Sequence, residues 1–307
     1  MISAIIPTKD RPVDLANAVQ SIYLQTRFPN ELIIVDQSES DNGIEALVPI
    51  ISRQIVPKLL YVHDTTIKGL VDAKRVGVER ASGDIICFLE DDIILEADYF
   101  EQIELGFSTQ KEMLGCSGII TNPPNQGLLY QLFFPIFHRG IFKDKRFNIY
   151  GRFTGQENSL VPSDKLSGGV SAWRREVFEI VALDVQNGFH MFEDIDFSMR
   201  VAKYFGDVLY INPNVRLEHL SSPVNRDTIG AAQKRKVAEY VIYYKKRRGP
   251  MFVGLSFYWL LFGMFLQSIQ KTIMVQSLDP LMGFFKGLYD GFSKEVVLTN
   301  ESGQTLI

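Results

Sequence analysis

Cysteine is nearly absent from this chain of 307 residues, which contains two, Cys87 and Cys116. Both lie in apolar segments and are not spaced as a metal-binding pair, which argues against a disulfide framework or a cysteine-based metal site and favours a reducing cytoplasm. The first strand-like segment, residues 2–6, has no basic region ahead of it, so a secretory signal is not expected. No Gly-x-Gly-x-x-Gly motif follows that segment, which argues against a dinucleotide-dependent oxidoreductase.

A strong charge of one sign is also lacking, since the net charge is −4. The charges are nevertheless uneven, because residues 233–248 contain seven basic residues against one acid, Glu239, whereas residues 1–232 have an excess of acids. An acidic body followed by a basic segment argues against nucleic acid as a partner and suits a protein held at an anionic membrane surface. The apolar content of 46% is typical of a globular protein.

Residues 249–270 lack Lys, Arg, Asp and Glu over 22 positions. A helix of that length covers roughly 33 Å at about 1.5 Å per residue, enough to cross a bilayer core of about 30 Å. Serine and glutamine side chains dilute the segment, and residues 281–292 form an amphipathic pattern. We therefore expect membrane association, either as an in-plane hairpin or as a span, with a buried helix or a dimer contact as the alternative. The basic segment before it predicts a cytoplasmic body.

Strand-like and helix-like segments alternate over residues 2–89. Short apolar runs at 3–7, 31–36, 59–63 and 85–89 predict strands, and segments with helical spacing begin at Pro12, Gly43 and Gly69. This rhythm predicts an α/β fold with a mostly parallel sheet covered by helices on both faces. Further helices are predicted at 97–109, 174–181 and 193–205, and further strands at 114–120, 208–211 and 215–217. Residues 121–164 show no clear periodicity and are predicted to be an irregular binding loop.

Three consecutive acids, Glu90, Asp91 and Asp92, directly follow the predicted strand at 85–89. Acids at the carboxyl end of such a strand lie where open α/β sheets bind ligands. Three adjacent like charges repel one another, so they are usually kept together on a solvated turn or around a cation. Acids at matching places elsewhere in the chain favour the cation.

Several motifs occur in a specific order along the chain. They are Ile5-Ile6-Pro7-Thr8-Lys9-Asp10-Arg11-Pro12, Ile33 to Asp41 with Asp36 at the strand end, Gly69 to Gly83, Phe88 to Asp92, Gly168-Gly169 followed by Trp173 to Phe178, Glu193 to Arg200, and His219. In this order they resemble the family 2 glycosyltransferases of GT-A fold, over roughly residues 2–220. The resemblance implies a Rossmann-like nucleotide-diphospho-sugar transferase domain and the residue roles that follow.

The resemblance implies a nucleotide-sugar donor whose diphosphate is held by Mn²⁺ or Mg²⁺. Asp92 is the expected metal ligand, with His219 as an imidazole ligand that suits Mn²⁺ better. Glu90 stands where the family usually has Asp, so whether it contacts the metal stays open, and Glu90 or Asp91 can instead meet the ribose. The expected donor pocket also includes Pro7, Thr8, Arg11, Asp36 and Lys74, although Lys74-Arg75 replaces the family's Arg-Asn, which leaves the diphosphate contact open between them.

Asp194 is the expected catalytic base, because a sugar hydroxyl that attacks an anomeric carbon must give its proton to a carboxylate. One base and one metal suffice for a single displacement with inversion. The resemblance places Gly168, Gly169, Trp173 and Glu193 on the acceptor side.

Together these observations predict four regions: a glycosyltransferase domain at 1–222, a polar loop and basic helix at 223–250, membrane-associated helices at 251–293, and a tail at 294–307. The expected enzyme is a metal-dependent, inverting glycosyltransferase at the cytoplasmic face of the membrane. The expected donor is a UDP- or dTDP-sugar, and the expected acceptor is a saccharide, lipid-linked and used for a surface polysaccharide.

Two alternatives remain. A processive polysaccharide synthase would carry several spans and a Gln-x-x-Arg-Trp motif, whereas Gln233 is followed here by Lys234-Arg235-Lys236-Val237. A non-catalytic GT-A-like scaffold of a membrane glycan complex would not need the acid triplet or Asp194, and both are present.

Overall fold

The computed structural model describes residues 1–52, 57–123, 127–144, 146, 159–224, 227–247 and 251–297. These residues fall into two compact units. The sheet unit comprises the described residues of 1–123 and 145–225, and the helical unit those of 124–144 and 226–299. The predicted tail lies largely outside the described residues.

The sheet unit begins with the predicted alternation of strands and helices. Strands β1 (Ile2–Thr8), β2 (Glu31–Asp36), β3 (Lys58–His63) and β4 (Ile85–Leu89) alternate with helices α1 (Pro12–Ile22), α2 (Asn42–Ile51) and α3 (Leu70–Arg80). These strands pair in parallel in the order β3-β2-β1-β4. Thr8 at the end of β1 is opposite Asp36 at the end of β2, so the carboxyl ends of these strands share one edge, where ligands of such sheets bind.

The rest of the sheet is mixed. It contains β5 (Ile93–Leu95), β6 (Gly115–Ile120), β7 (Val161–Pro162), β8 (Val170–Arg174) and β9 (Leu209–His219), with helices α4 (Tyr99–Thr109), α6 (Glu176–Ile180) and α7 (Glu193–Phe205). Strand β8 is antiparallel to both β4 and β6, whereas β6 and β9 are parallel. The α/β fold is therefore confirmed, with a sheet that is parallel in its first half and mixed in its second.

Alternation of side chains along the central strands builds the core. Ile2, Ala4 and Ile6 of β1 belong to one buried cluster, whereas Ile5 belongs to a second. Because successive side chains of a strand point to opposite faces, these clusters are the two layers between the sheet and its helices. Such strands are apolar on both faces, which is why they appear in the sequence as continuous apolar runs.

Two sequence predictions differ from the structure. The strands predicted at 208–211 and 215–217 form one strand, β9, whose pairing with β6 shifts register between Ser117 and Ile119. At this irregularity the buried side chain of Asn212 accepts a hydrogen bond from the Asn214 backbone N–H and donates one to the carbonyl of Gln102. The segment 121–164, predicted to be irregular, contains helix α5 (Leu128–Phe137) and a 3₁₀ turn at Gly140–Phe142, both within the helical unit. Residues 128–137 are mostly apolar and show no clear helical periodicity, so the sequence did not predict this helix.

The helical unit also contains α8 (Ile229–Lys246), α9 (Met251–Val275) and α10 (Asp279–Ser293). Gly283, Gly287 and Gly291 form a stripe along α10 that lies directly against α8. A Cβ atom at Gly283 would collide with the carbonyl of Gly230, and one at Gly287 with the carbonyl of Lys234. The absence of side chains at these positions therefore permits the close approach of the two helices. Helix α9 is the one helix of the described residues long and apolar enough to cross a bilayer.

Candidate active site

A carboxylate–imidazole cluster lies at the end of β4. The Nε2 atom of His219 is 2.8 Å from Oε2 of Glu90 and 3.1 Å from Oδ1 of Asp92. One ligand atom from each residue lies within 4.8 Å of the others. Two hard carboxylate oxygens and one imidazole nitrogen are a donor set that suits Mn²⁺, and the carboxylates also suit Mg²⁺. The residues present therefore fit a divalent cation.

The backbone explains why residues so distant in sequence meet. Strand β5 begins directly after the acid triplet and pairs antiparallel with β9, which places Ile93 opposite His219. The backbone N–H of Leu220 donates to the Asp92 carbonyl at 2.8 Å, and that of Ser222 donates to Asp92 Oδ2 at 2.8 Å. The loop after β9 thus holds Oδ2 of Asp92, while His219 contacts Oδ1.

The titration behaviour of the cluster follows from these contacts. Hydrogen bonds to Asp92 and Glu90 raise the pKa of His219 to about 10, against the opposing effect of burial. Burial acts to raise the pKa of Asp92, but the contacts with His219 and the Ser222 N–H outweigh it and hold that pKa below its usual value. At neutral pH and without a cation, the imidazole between the two carboxylates is therefore protonated.

Asp91, the middle acid, faces the end of β1 instead. Its Oδ2 accepts a hydrogen bond from Thr8 Oγ1 at 2.8 Å, and its Oδ1 contacts Arg11 Nη1 at 3.0 Å. Burial raises the pKa of Asp91 to about 6, although Thr8 and Arg11 act to lower it. Arg11 also lies 3.8 Å from Asp92 Oδ2 and donates to the carbonyl of Val224 at 3.0 Å. The first-strand motif and the acid triplet thus form one connected site.

The glycine pair Gly168-Gly169 lies between the acids of β4 and those of α7. A Cβ atom at Gly169 would collide with the carboxylate of Glu90, and one at Gly168 with that of Glu193. The Gly168 N–H donates to Asp194 Oδ2 at 3.2 Å. Two adjacent residues therefore lie between the acid–histidine cluster and the expected catalytic base, and a side chain at either position would displace a neighbouring carboxylate.

Asp194 and Glu193 at the start of α7 have different surroundings. Asp194 Oδ2 lies 3.0 Å from Arg146 Nη1, and both side chains are partly accessible. Glu193 Oε1 pairs with Lys74 Nζ at 2.6 Å, and Lys74 also donates to the Gly168 carbonyl at 2.9 Å. Burial raises the pKa of Glu193, and the charge of Lys74 opposes this effect. Glu193 is thus a buried partner of Lys74, whereas Asp194 is the accessible acid.

Comparison with known proteins identifies the family. A family model described as glycosyl transferase family 2 matches residues 3–179. The chain belongs to this family. The predicted family and enzyme class, a glycosyltransferase, are thereby confirmed.

Three relatives share between 29% and 34% identity with this family 2 chain. An uncharacterized glycosyltransferase of Haemophilus influenzae is 30% identical over 38% of this chain and 46% of its own length. The uncharacterized glycosyltransferase YwdF of Bacillus subtilis is 29% identical over 66% of this chain and 68% of its own. A PGL/p-HBAD biosynthesis glycosyltransferase of Mycobacterium bovis is 34% identical over 34% of this chain and 40% of its own. The chain thus matches less than half the length of two of these relatives.

Two solved structures are similar over most of the chain. The mannosyltransferase PcManGT from Pyrobaculum calidifontis, in complex with GDP-Man and Mn²⁺, has a TM-score of 0.58 at 14% identity and covers 96% of this chain and 88% of its own. TarS residues 1–349 from S. aureus has a TM-score of 0.59 at 12% identity, with coverage of 94% and 79%. At these identities the likeness concerns the fold, which is the predicted GT-A fold.

Other predicted site residues of this family 2 glycosyltransferase lie deeper. Asp36 is fully buried, with one carboxylate oxygen accepting hydrogen bonds from the Ser38 N–H at 2.8 Å and from its hydroxyl, and the other accepting one from Tyr61. Pro7 is buried within β1, opposite Val35. Contact of Asp36 and Pro7 with a nucleotide therefore stays a prediction, as does the diphosphate contact of Lys74, whose ammonium faces Glu193 in this structure.

Trp173 does not lie with the carboxylates. Its indole is 2% exposed, donates from Nε1 to Ser171 Oγ at 2.9 Å, and packs edge-on against Phe197 with 4.8 Å between the ring centroids. In this structure Trp173 is a core residue, and its acceptor-side role stays a prediction. Arg75, the other candidate for a diphosphate contact, pairs with Asp72 and Glu79 along α3.

Sequence reasoning missed three residues of the site. Asn122 Oδ1 accepts a hydrogen bond from the His219 N–H at 2.8 Å, Ser222 holds Asp92, and Arg146 pairs with Asp194. Asn122 and Arg146 fall in the segment without periodicity, and Ser222 acts through its backbone. No side-chain motif at these positions distinguishes them from ordinary loop residues.

Proposed function

We propose that this protein is a metal-dependent, inverting glycosyltransferase that moves a sugar from a nucleoside-diphosphate sugar to a saccharide acceptor. The observation that carries the proposal is the glycine pair, since Gly169 lies against Glu90 of the cation cluster and Gly168 donates to Asp194. An accessible carboxylate beside a cation site is the arrangement that a single displacement requires.

Glu90, Asp92 and His219 would hold the cation, which when bound neutralises the charge of the departing diphosphate. The Asp194 carboxylate would accept the proton of the acceptor hydroxyl. At the same time the bond from the hydroxyl oxygen to the anomeric carbon forms, and the bond from that carbon to the diphosphate oxygen breaks. The configuration at the anomeric carbon is inverted because there is one attack from the opposite side.

Two arginines have roles in this proposal. Arg11 contacts Asp91 and lies close to Asp92, so its positive charge would attract a phosphate group bound at the end of β1. Arg146 pairs with Asp194 at 3.0 Å and would hold that carboxylate in position toward the acceptor hydroxyl. The preferred donors are UDP- and dTDP-sugars, and the proposed acceptor is lipid-linked, for a surface polysaccharide.

The surface of the helical unit supports membrane association. Only 28% of the most apolar 18-residue segment of α9 is buried inside the protein. Phe252, Ile273 and Met274 are each more than 70% exposed. The second half of α9 contains Gln267, Gln270 and Lys271, which favours a helix that lies in the membrane interface over one that spans it. The basic residues of α8 would meet anionic headgroups at the cytoplasmic face.

The test is sugar transfer and donor hydrolysis by the purified full chain, with and without Mn²⁺, for the wild type, Asp92→Ala and Asp194→Asn. We expect chelation and Asp92→Ala to abolish activity, and Asp194→Asn to lower turnover by about 10² to 10⁴ with donor binding retained. Asp207→Asn is the matched control, because Asp207 is an exposed acid after α7. Equal activity in all samples would contradict the proposal and favour the scaffold function.

A further inference from the structure

The helical unit contains a large apolar cavity of about 690 Å³. Its walls come from α5, α8 and α9, and the main apolar side chains are Phe133, Phe134, Phe137, Leu260, Met264 and Met274. A volume of this order accommodates a small ligand. None of the residues assigned above to sugar transfer lines the cavity, so it calls for a separate ligand.

The shape of the cavity favours a linear chain. Its lining residues on α9 run from Leu260 to Met274, which at about 1.5 Å per residue corresponds to roughly 21 Å of helix. Two lining residues, Phe133 and Met274, are 43% and 73% exposed, so the mouth opens onto an apolar surface. Exposed apolar surface around a cavity is typical of a site that meets a membrane or another apolar partner.

One lysine lines the cavity, and a second, Lys271, follows the lining residue Gln270 in the chain and lies near enough to the first to repel it. Lys236, which lines the cavity, donates from Nζ to Gln267 Oε1 at 3.1 Å. Lys271 donates from Nζ to Gln233 Oε1 at 3.1 Å. In the described part of the chain neither ammonium forms an ion pair with a carboxylate.

Burial, together with the nearby charge of Lys271, lowers the pKa of Lys236 to about 8. Two ammonium groups that repel each other and contact neutral amides are stabilised by an anion of high charge. The wall therefore complements an acidic headgroup as well as a hydrocarbon chain.

We propose that this cavity binds a membrane lipid with a phosphate headgroup, whose hydrocarbon chain lies along α9 and whose phosphate contacts Lys236 and Lys271. The inference rests on the proposed membrane association of the helical unit. Inorganic phosphate would satisfy the lysines but leave the apolar walls empty, and an apolar helix from a second copy would fill the walls but leave the lysines without an anion. A lipid phosphate satisfies both.

Trp259 provides a fluorescent reporter of a hydrocarbon chain bound in the cavity. Its ring lies 5.0 Å from that of Phe137, a wall residue, and its Nε1 donates to the Ile136 carbonyl at 2.9 Å. The chain has two tryptophans, and the other, Trp173, is buried in the sheet unit. Quenching of the full-length protein by a bromine-labelled hydrocarbon chain in the cavity therefore concerns Trp259, and Trp259→Phe should abolish it.

The experiment titrates the full-length protein with bromine-labelled hexadecyl phosphate and with the same bromine-labelled hydrocarbon chain ending in an uncharged hydroxyl group. We expect the phosphate to bind about ten-fold tighter or more, as expected for charge-assisted hydrogen bonds to a phosphate. Lys236→Met and Lys271→Met should each lose this preference while retaining the helical content measured by circular dichroism. Lys234→Met is the matched control on α8, because Lys234 forms a partly exposed ion pair with Asp290.

The outcomes separate the inference from the proposed function. Equal affinity for the two lipids in the wild type, or an unchanged preference in both lysine variants, would overturn the inference. Co-sedimentation with anionic vesicles without quenching of Trp259 would keep the membrane association and reject the lipid cavity. Binding of inorganic phosphate without quenching by either lipid would overturn the inference and assign the lysines to a free anion. Loss of quenching when the protein dimerises would overturn it as well and assign the cavity to a second copy of the chain.

Discussion

The imidazole Nε2 of His219 lies 3.1 Å from Oδ1 of Asp92, although the two residues are 127 positions apart in the chain. The pairing of β5 with β9 produces this contact, since Ile93, the residue after Asp92, is opposite His219.

Binding of Mn²⁺ should release about one proton at pH 7.5. The pKa of His219 is raised to about 10 by its two carboxylate partners, so the metal-free imidazole is protonated at that pH and must lose its proton to become a ligand. Because the pKa is raised, metal affinity should increase as the pH rises toward 10. Isothermal titration calorimetry in two buffers of different ionisation enthalpy measures the release. His219→Gln should bind metal weakly and release almost no proton, and wild-type binding without proton release would contradict the prediction.

Gly169→Ala should weaken metal binding by displacing Glu90. A Cβ atom at this position would overlap the Glu90 carboxylate, so the side chain must leave His219 or the strand must shift. We expect an affinity for Mn²⁺ as low as that of Glu90→Gln. Gly127→Ala is the matched control, because a Cβ atom there meets nothing within 4 Å. If Gly169→Ala bound Mn²⁺ as the wild type does, Glu90 would not be a metal ligand.

Lys74→Met should destabilise the sheet unit by about 3 to 5 kcal/mol, because it leaves Glu193 as an unpaired buried carboxylate. Lys74 and Glu193 lie 2.6 Å apart, and their side chains are 2% and 9% exposed. The double variant Lys74→Met/Glu193→Gln should recover part of the loss, since no buried charge remains. Urea denaturation of the four proteins gives the coupling free energy. Additive effects of the two substitutions would mean that the pair contributes nothing.

Gly287→Val should destabilise the helical unit by about 1 to 3 kcal/mol, the usual effect of overpacking. The added side chain would collide with the Lys234 carbonyl and with Val237 of α8. Gly254→Ala is the control, because its Cβ atom would make one ordinary contact, with the Tyr244 hydroxyl at 3.5 Å. Thermal unfolding followed by circular dichroism compares the two. An unchanged transition in Gly287→Val would show that α8 and α10 do not need their close approach.

Cys87 and Cys116 should not react with a thiol reagent at pH 8 in the native protein. Both are buried, and burial raises the pKa of Cys116 to about 12 and that of Cys87 well above its ordinary value. Since the thiolate is the reactive form, both residues stay protonated and inaccessible below those pKa values. Absorbance after addition of Ellman's reagent should rise only in denaturant, to the level of two thiols. Rapid native reaction of either cysteine would contradict the packing of β4 or β6.

What the sequence by itself determined is local. Continuous apolar runs predict strands that are buried on both faces, and the acids that directly follow 85–89 must lie at the carboxyl end of β4. The position of Asp194 at the start of α7 follows in the same way, because the helix begins at Glu193. These features depend on residues adjacent in the chain, so their pattern survives in the sequence.

Only the tertiary structure decided which of these residues touch. In the folded chain Asp91 contacts Thr8 and Arg11, whereas Glu90 contacts His219. Trp173 is buried in the core, and α5 belongs to the helical unit. Strand register and helix packing determine such contacts, and both depend on the burial of many side chains at once. A local pattern contains too little information to specify them, because the same carboxylate can meet an arginine or an imidazole according to which strand lies beside it.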